Sequence, residues 1–332
     1  MSNKKEIAKN QLSDLGTYIS TPTQTMQILK QYNLHLKKTY GQNFLIDTNV
    51  LKKIVKFSDV KKDDVVLEVG SGIGSLTEIL LKNVKKIICI ELDRNIAAAF
   101  KEIFKTKLSR KIILINDDAM KIDYDKVCNK YDINKFVSNL PYKIAAPLIL
   151  KILSQTKKID DFFITIQKDI ADRILAKPKD KNYNAFTVKL NYYAYFVKSF
   201  PISRVCFYPK PFVDSVTIHL KRKENLLPSE IIDKIKKNKI KNKYSLADED
   251  NSNSLENIIE NFTNNFFKFV EDCFSHRRKK LINSLMFSND YYKNNHEKLL
   301  SDLESLGFNK DIRPEELSLE DYIKLFILFT RL

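Results

Sequence analysis

The sequence predicts an α/β protein: a Rossmann-like sheet followed by a small all-α domain. Three observations carry that prediction. A strand-like run, Val65-Val66-Leu67-Glu68-Val69, opens into Gly70-Ser71-Gly72-Ile73-Gly74 and then into the helical run Ser75 to Leu81. Acidic residues recur at the ends of the next two apolar runs, with Glu91 after Lys86 to Ile90 and Asp117-Asp118 after Ile112 to Ile115. Beyond Lys221 the chain becomes helical in pattern and rich in Lys and Asn. A strand, a glycine loop and a helix in succession form the entry of a doubly wound sheet, whose ligands sit at the carboxyl ends of the strands.

The loop's spacing narrows the ligand. It is G-x-G-x-G, not the G-x-G-x-x-G that seats a pyrophosphate on a helix N-terminus. Glu68, just ahead of the glycines, repels phosphate and suits a ligand carrying an ammonium or sulfonium. That chemistry points to S-adenosylmethionine over NAD. Glu91 lies about 20 residues past the loop, where an acidic side chain holds a ribose by its hydroxyls. A carboxylate after the third strand can accept from an adenine N6 amine. Asp118 is favoured over Asp117 because it directly precedes Ala119, where a flat base can approach the backbone. Any one of these carboxylates alone reads as a solvated loop residue; three in chain order at strand ends read as a nucleoside site.

The fourth strand, Lys135-Phe136-Val137-Ser138, ends in Asn139-Leu140-Pro141-Tyr142. Methylating the exocyclic amine of a nucleobase needs this set of groups. The amine's lone pair is delocalised into the ring until its hydrogens are held out of plane, and an Asn oxygen with a neighbouring backbone carbonyl can accept both hydrogens. Proline fixes the turn, and a Tyr ring gives a flat base a face to stack on. Asn-Leu-Pro alone is common turn chemistry; behind a methyl-donor loop it becomes a candidate catalytic turn. Phe207 is a second candidate aromatic, heading an F-x-P-x-P turn that cannot belong to a central strand.

The remaining elements follow in order. Residues 1–20 are polar and expected to be mobile. Pro22 to Phe57 reads as helical, interrupted at Gly41, with Ile28, Leu29, Tyr32 and Leu36 at helical spacing. Phe162 to Ile166 is the expected fifth strand, Asp169 to Leu175 a short helix, and Ala185 to Tyr195 another. The aromatics from Tyr192 to Phe196 fall on more than one helical face, which favours core packing over a base-stacking platform. Ser215 to Leu220 alternates apolar and polar residues as a final, half-exposed strand. Glu256 to Phe274, Lys279 to Phe287 and Leu319 to Phe329 are helical, and residues 241–254 read as a flexible insertion. The expected division is therefore a tail over 1–20, a sheet domain over 21–222 and a helical domain over 223–332.

With 332 residues and 43% apolar content the chain can build two ordinary cores. Its formal net charge is +16, and residues 1–62 carry eleven Lys against four acids. Arg277-Arg278-Lys279-Lys280 is a compact cationic cluster suited to a phosphate backbone. Four scattered cysteines and four scattered histidines give no metal or disulfide spacing. No apolar run reaches the length of a membrane span. The expectation is a cytoplasmic, metal-free, monomeric protein with a nucleic-acid partner.

Taken together, these residues resemble the ribosomal RNA small-subunit adenine N6,N6-dimethyltransferases of the KsgA type, with the erythromycin-resistance methyltransferases as close cousins. The resemblance runs from Thr21-Pro22-Thr23-Gln24-Thr25 and Lys37 to Leu45 through Glu68 to Gly74, Ile90 to Asp93, Asp118 to Met120 and Asn139 to Tyr142. It continues through Gln167-Lys168-Asp169, Phe207 to Ser215, His276 to Lys280 and Arg313-Pro314-Glu315-Glu316-Leu317. It implies S-adenosylmethionine as the methyl donor, with Asn43 and Leu45 in an N-terminal lid over it and Gly70 under its methionine part. Glu91 would hold the ribose and Asp118 the adenine, while Asn139 and the backbone at Leu140 would lie between cofactor and target amine. Tyr142 and Phe207 would sandwich the flipped base.

The implied substrate is two adjacent adenines in a hairpin loop near the 3′ end of small-subunit rRNA, within a pre-30S particle. The helical domain would dock the enzyme on that particle. Three positions depart from the family pattern: Ser138 for a common Gly, Lys143 for a frequent Asn and Asn184 for a frequent Gly. None is expected to touch the methyl-transfer centre. The alternatives are a large-subunit enzyme of the macrolide-resistance type and a non-catalytic RNA-binding or transcription-cofactor relative. Thr21-Pro22-Thr23 and the Arg313 to Leu317 region favour the small-subunit enzyme. Leu140 disfavours the DNA and protein-glutamine methyltransferases, which carry a second proline in this turn.

Overall fold

A computed structural model describes residues 18–36, 41–108, 110–227, 230–232, 255–276 and 278–330. The 241–254 segment, most of the N-terminal tail, Lys37 to Tyr40 and Arg277 lie outside the described residues. The described residues form two compact units. One lies within Met1–Ala171 and Tyr195–Arg222, the other within Asp172–Ala194 and Lys223–Leu332.

The first unit begins with α1 (Pro22–Gln31), β1 (Phe44–Leu45) and α2 (Thr48–Phe57). The alternating series follows: β2 (Val65–Val69), α3 (Ser75–Leu80), β3 (Lys86–Ile90), α4 (Arg94–Ile103), β4 (Ile112–Ile115), α5 (Tyr124–Tyr131), β5 (Lys135–Asn139), α6 (Ala145–Gln155) and β6 (Asp161–Gln167), after which the chain enters α7 (Lys168–Leu175). All five residues of β2 are buried, as expected of a strand covered on both faces. Helices start where short acceptors meet free backbone N–H groups. Asp47 accepts from Asn49 and Val50 at the start of α2, and Asp93 from Asn95 and Ile96 at the start of α4. The sheet order is β4-β3-β2-β5-β6, all parallel, extended by β9 (Ser215–Arg222), antiparallel to β6, and then by β7 (Ala194–Ile202). The strand order reverses at β2, with β3 on one side and β5 on the other, which makes the β2/β5 crevice the switch point where ligands bind.

The carboxyl-terminal half of the sheet differs from expectation in two places. The helix α8 spans Ala185–Tyr193, and the chain then turns directly into β7 instead of continuing to Tyr195. Tyr192 and Tyr193 are core residues as expected, but Tyr195 and Phe196 are exposed on β7. Aromatic residues suit strand and helix alike, so their period decides nothing here. The strand β9 has four of its eight residues buried, but the buried set includes polar ones: Thr217 lies inside the sheet, its hydroxyl 2.8 Å from that of Thr165. A paired threonine reads as polar in the sequence and packs as core in the fold.

The second unit gathers α8 with α9 (Leu255–Cys273), α10 (Leu281–Ser288), α11 (Asp290–Asn294), α12 (His296–Ser305) and α13 (Leu319–Thr330). Residues 172–194 group with the helices, not with the sheet domain of the expected division, because Tyr192 is built into them. Its hydroxyl lies 2.9 Å from Thr263 Oγ1 and its ring 5.6 Å from Phe266, while Lys189 pairs with Glu271. Phe262, Phe266 and Phe269 then pack on Phe326, which closes the core. Each such buried aromatic contributes roughly 2–3 kcal/mol of apolar burial.

Candidate active site

A cavity of about 280 Å³ opens at the switch point. It is lined from the ends of β2, β3 and β5, the loop after β4, and the segment leading into β1. Asn43, Leu45, Gly70, Glu91, Asp118, Asn139, Leu140 and Tyr142 all line it. These sites span nearly a hundred residues of sequence and meet in one place.

The glycine loop explains how. Gly70 has φ +74°, and a Cβ there would sit 2.9 Å from the ring carbons of Pro141. Gly72 has φ +58°, and its Cβ would fall 2.6 Å from Phe44. Only glycine tolerates both the backbone and the approach. The loop thus packs against the Asn139 to Tyr142 turn on one side and the Phe44 strand on the other. It is also tied to β3, since Gly70 N–H donates to Ile90 O at 2.8 Å.

Each carboxylate has a distinct setting. Glu91 accepts from Gly72 N–H and from Asp93 N–H, both at 2.9 Å, which holds its carboxylate at the rim of the glycine loop. Burial pushes its pKa up, and those backbone donors pull it down. Asp118 accepts from Met120 N–H at 2.9 Å and is half-buried; Asp117, which also lines the cavity, is exposed. Glu68 is fully buried and accepts from Thr77 Oγ1 at 2.7 Å. Burial pushes its pKa up to about 8, so it holds a proton at neutral pH. The sequence reading took Glu68 as a ready anion; total desolvation is the physical reason it is not one until a cation arrives beside it.

The Asn139 to Tyr142 turn is anchored at both ends. Leu140 N–H donates to Thr165 O at 3.1 Å, and the Tyr142 hydroxyl lies 2.9 Å from Ser215 Oγ. Asn139 Nδ2 reaches Asn43 O at 3.4 Å, while its Oδ1 is buried without a hydrogen-bond partner. The hydroxyls of Ser71 in the glycine loop and Ser75 at the start of α3 are buried in the same cavity, also without partners. Unsatisfied buried acceptors and donors are rare because each costs about 1–3 kcal/mol. Three in one cavity mark where a polar ligand belongs, and the mix of acidic, hydroxyl and apolar lining fits a nucleoside-bearing cofactor. Sequence reasoning missed the two serines, though Ser71 sits between Gly70 and Gly72 and Ser75 directly follows Gly74.

Phe207 stands apart from the other candidates. It is 2% exposed and is not part of the cavity lining. It lies in β8 (Phe207–Tyr208), which pairs antiparallel with β1 and sets Phe207 opposite Leu45. Its ring meets that of Tyr142 at 6.4 Å between centroids and 64° between planes. That is an edge contact, not a parallel slot for a base. The same pairing fixes the Asn43 to Leu45 segment in place.

Ser138 has a larger role than expected. Its hydroxyl donates to Val69 O at 2.6 Å and accepts from Val69 N–H at 3.2 Å. The paired residues of β2 and β5 are Val66 with Lys135 and Leu67 with Phe136. Ahead of Asn139 and Gly70, this side chain takes over the bonding of the ladder.

Residues 33–237, more than half of the chain, match the family model described as ribosomal RNA adenine dimethylase. The chain belongs to that family. It is an S-adenosylmethionine-dependent rRNA adenine dimethyltransferase. It is 31% identical to the ribosomal RNA small subunit methyltransferase A of Natranaerobius thermophilus, covering 94% of this chain and 98% of the relative. With the protein of the same name from Clostridium acetobutylicum it shares 34% identity over 91% and 96%. A dimethyladenosine transferase from Plasmodium falciparum superposes with a TM-score of 0.63 at 25% identity, covering 86% of this chain and 96% of that one. The 23S rRNA methyltransferase ErmE shares the fold, with a TM-score of 0.54 at 19% identity over 86% and 99%. No helix of the described residues is long and apolar enough to cross a membrane.

Proposed function

We propose that this enzyme dimethylates two adjacent adenines in the 3′-terminal hairpin loop of small-subunit rRNA, acting as a cytoplasmic monomer on a pre-30S particle. Relatives named small subunit methyltransferase A, at 31% and 34% identity over nearly the whole chain, support the choice of subunit. The observation that carries the site assignment is the buried, unpartnered Asn139 Oδ1 in a cavity shared with the glycine loop. It is an acceptor waiting for an N–H donor, and a target adenine N6 brings two.

In this reading Gly70, Glu91 and Asp118 hold the methionine, ribose and adenine parts of the cofactor, and Asn43 and Leu45 cover it. S-adenosylmethionine supplies an electrophilic methyl group. Asn139 and the Leu140 backbone accept the amine hydrogens and turn its lone pair toward that methyl. Tyr142 offers the stacking face, held by its edge contact with Phe207 and at its hydroxyl by Ser215. Bound there, the donor would pass its methyl to the amine nitrogen as its C–S bond breaks, and the amine's proton would leave to solvent. Tyr142 does not take it, since burial pushes its pKa up to about 12. Catalysis is therefore chiefly positioning.

For docking, Arg278 lines a concavity of the helical unit with Arg173, Lys179, Lys181 and Arg313. Lys280 is paired with Asp311 at 2.6 Å. Mapping N6-dimethyladenosine in rRNA from cells with and without the protein tests the whole reading. Loss of the paired modification in the small subunit is the expected result, and loss in the large subunit alone would overturn it.

A further inference from the structure

The segment between β8 and β9 exposes an aromatic side chain that the fold does not use. Phe212 is 96% exposed, the highest value among the large apolar side chains described as exposed. Val205, Tyr208 and Val213 in the same stretch are exposed as well. Single exposed apolar residues are ordinary, but four within nine residues form a patch. The segment is also braced. Arg204 Nη1 donates to Phe212 O at 2.9 Å, Arg204 N–H to Asp214 Oδ1 at 2.8 Å, and Lys168 N–H to Asp214 O at 2.9 Å. Pro209 and Pro211 further restrict the backbone between them. The phenyl ring is thus held out by a fixed backbone.

Its position gives it meaning. Both ends of the segment touch Tyr142, Phe207 through the ring contact at 6.4 Å and Ser215 through the hydroxyl at 2.9 Å. The segment therefore rises from the side of the cavity where Tyr142 enters it. Residues 203–213 contain Arg204 and Lys210 and no acidic side chain. An RNA that delivers one adenine into a cavity must unstack it from its neighbours, and those neighbours lose a stacking surface.

We propose that Phe212 supplies that surface, stacking on a nucleobase next to the target adenine while Lys210 and Arg204 meet the adjoining phosphates. The proposal rests on the reading of the cavity as an adenine site. Charge favours RNA over a protein partner here: the patch is apolar at its centre and cationic at its edge, as single-strand binding surfaces are.

The test uses the full-length enzyme and isolated small ribosomal subunits whose rRNA lacks the dimethyladenosines. Phe212→Ala should weaken subunit binding and raise KM roughly 5- to 150-fold, the range of one base–aromatic stack. The dissociation constant for S-adenosylmethionine should not move. Phe212→Tyr should stay within about threefold of wild type, and Phe212→Leu should resemble Phe212→Ala. Lys210→Gln should lower the slope of log affinity against log salt by about one. Wild-type binding by Phe212→Ala, or full rescue by Phe212→Leu, would overturn the proposal and leave the patch to a protein contact. If wild type itself transfers no methyl to these subunits, the adenine-site reading fails, and the binding series still decides whether the ring stacks.

Discussion

Replacing Ser138 tests how the sheet holds the active site together. Its hydroxyl satisfies both the N–H and the carbonyl of Val69, at 3.2 and 2.6 Å, in a position only 1% exposed. Ser138→Ala keeps the volume nearly constant and admits no water, so both backbone groups lose their partners. At about 1–3 kcal/mol for each buried unsatisfied group, the expected loss is about 2–5 kcal/mol of stability. For a unit of this size that lowers Tm by roughly 5–15 °C. Val69 carries Gly70, so the cofactor loop loosens too, and the S-adenosylmethionine dissociation constant should rise by about tenfold as preorganisation is lost. Ser138→Gly is the informative partner. Without the Cβ, a single water can bridge the same two groups, so the loss should be less than half that of alanine. Thermal melts and calorimetric titrations of the three proteins check this. An alanine variant within about 0.5 kcal/mol of wild type, or a glycine variant worse than alanine, refutes the reasoning.

Asn139→Ala should abolish methyl transfer while cofactor affinity stays within a few-fold, read by methyl incorporation and calorimetry side by side. Glu91→Ala removes the acceptor that Gly72 and Asp93 share; cofactor binding should weaken by about 1–3 kcal/mol, and an unchanged dissociation constant would place the ribose elsewhere. Glu68 links the site to pH. Its folded pKa of about 8 exceeds the ordinary carboxyl value of 4.5, so the folded state binds more protons between those values and stability falls as pH rises from about 5 to 8. Glu68→Gln should flatten that fall, which amounts to several kcal/mol at about 1.4 per pKa unit, in urea melts across the range; a slope identical to wild type removes Glu68 as its source. Arg278→Gln should weaken subunit binding and reduce its salt slope by about one while leaving the cofactor constant unchanged; an unaltered slope means this cation faces only solvent.

The sheet was legible because its strands are buried on both faces. Val65 to Val69, interrupted only by Glu68, and Ile87 to Ile90 appear in the sequence as apolar runs ending at glycine or acid, and the structure places strands over Val65–Val69 and Lys86–Ile90. Glu91 and Asp118 were legible from strand ends and chain order, Asn139 from the chemistry of its turn, and Gly70 from the family resemblance. What stayed hidden depends on partners far away in sequence. Two-residue strands such as β1 and β8 have no periodicity, yet their pairing removes Phe207 from the cavity. The helices α11 and α12 are short, polar and interrupted by Asn295. The tie between α8 and the helical unit rests on Tyr192, Thr263 and Lys189, none distinctive by itself. Ser138 looked like a neutral change from glycine because a hydroxyl's worth is set by the backbone atoms opposite it.

The close approaches at Gly70 and Gly72 give the site a property no single residue has. Pro141, in the Asn139 to Tyr142 turn, and Phe44, in β1, both rest against one glycine loop. Glu91 bonds that loop from the β3 side and Ser138 holds its approach from β5. In the proposed assignment, cofactor pocket and base pocket therefore share walls. Contacting residues of this kind do not contribute additively, so a change to the methyl-donor loop is felt at the amine-orienting turn. That coupling suits a positioning enzyme, whose rate depends on where a methyl carbon and an amine nitrogen sit relative to each other more than on any one group's acidity.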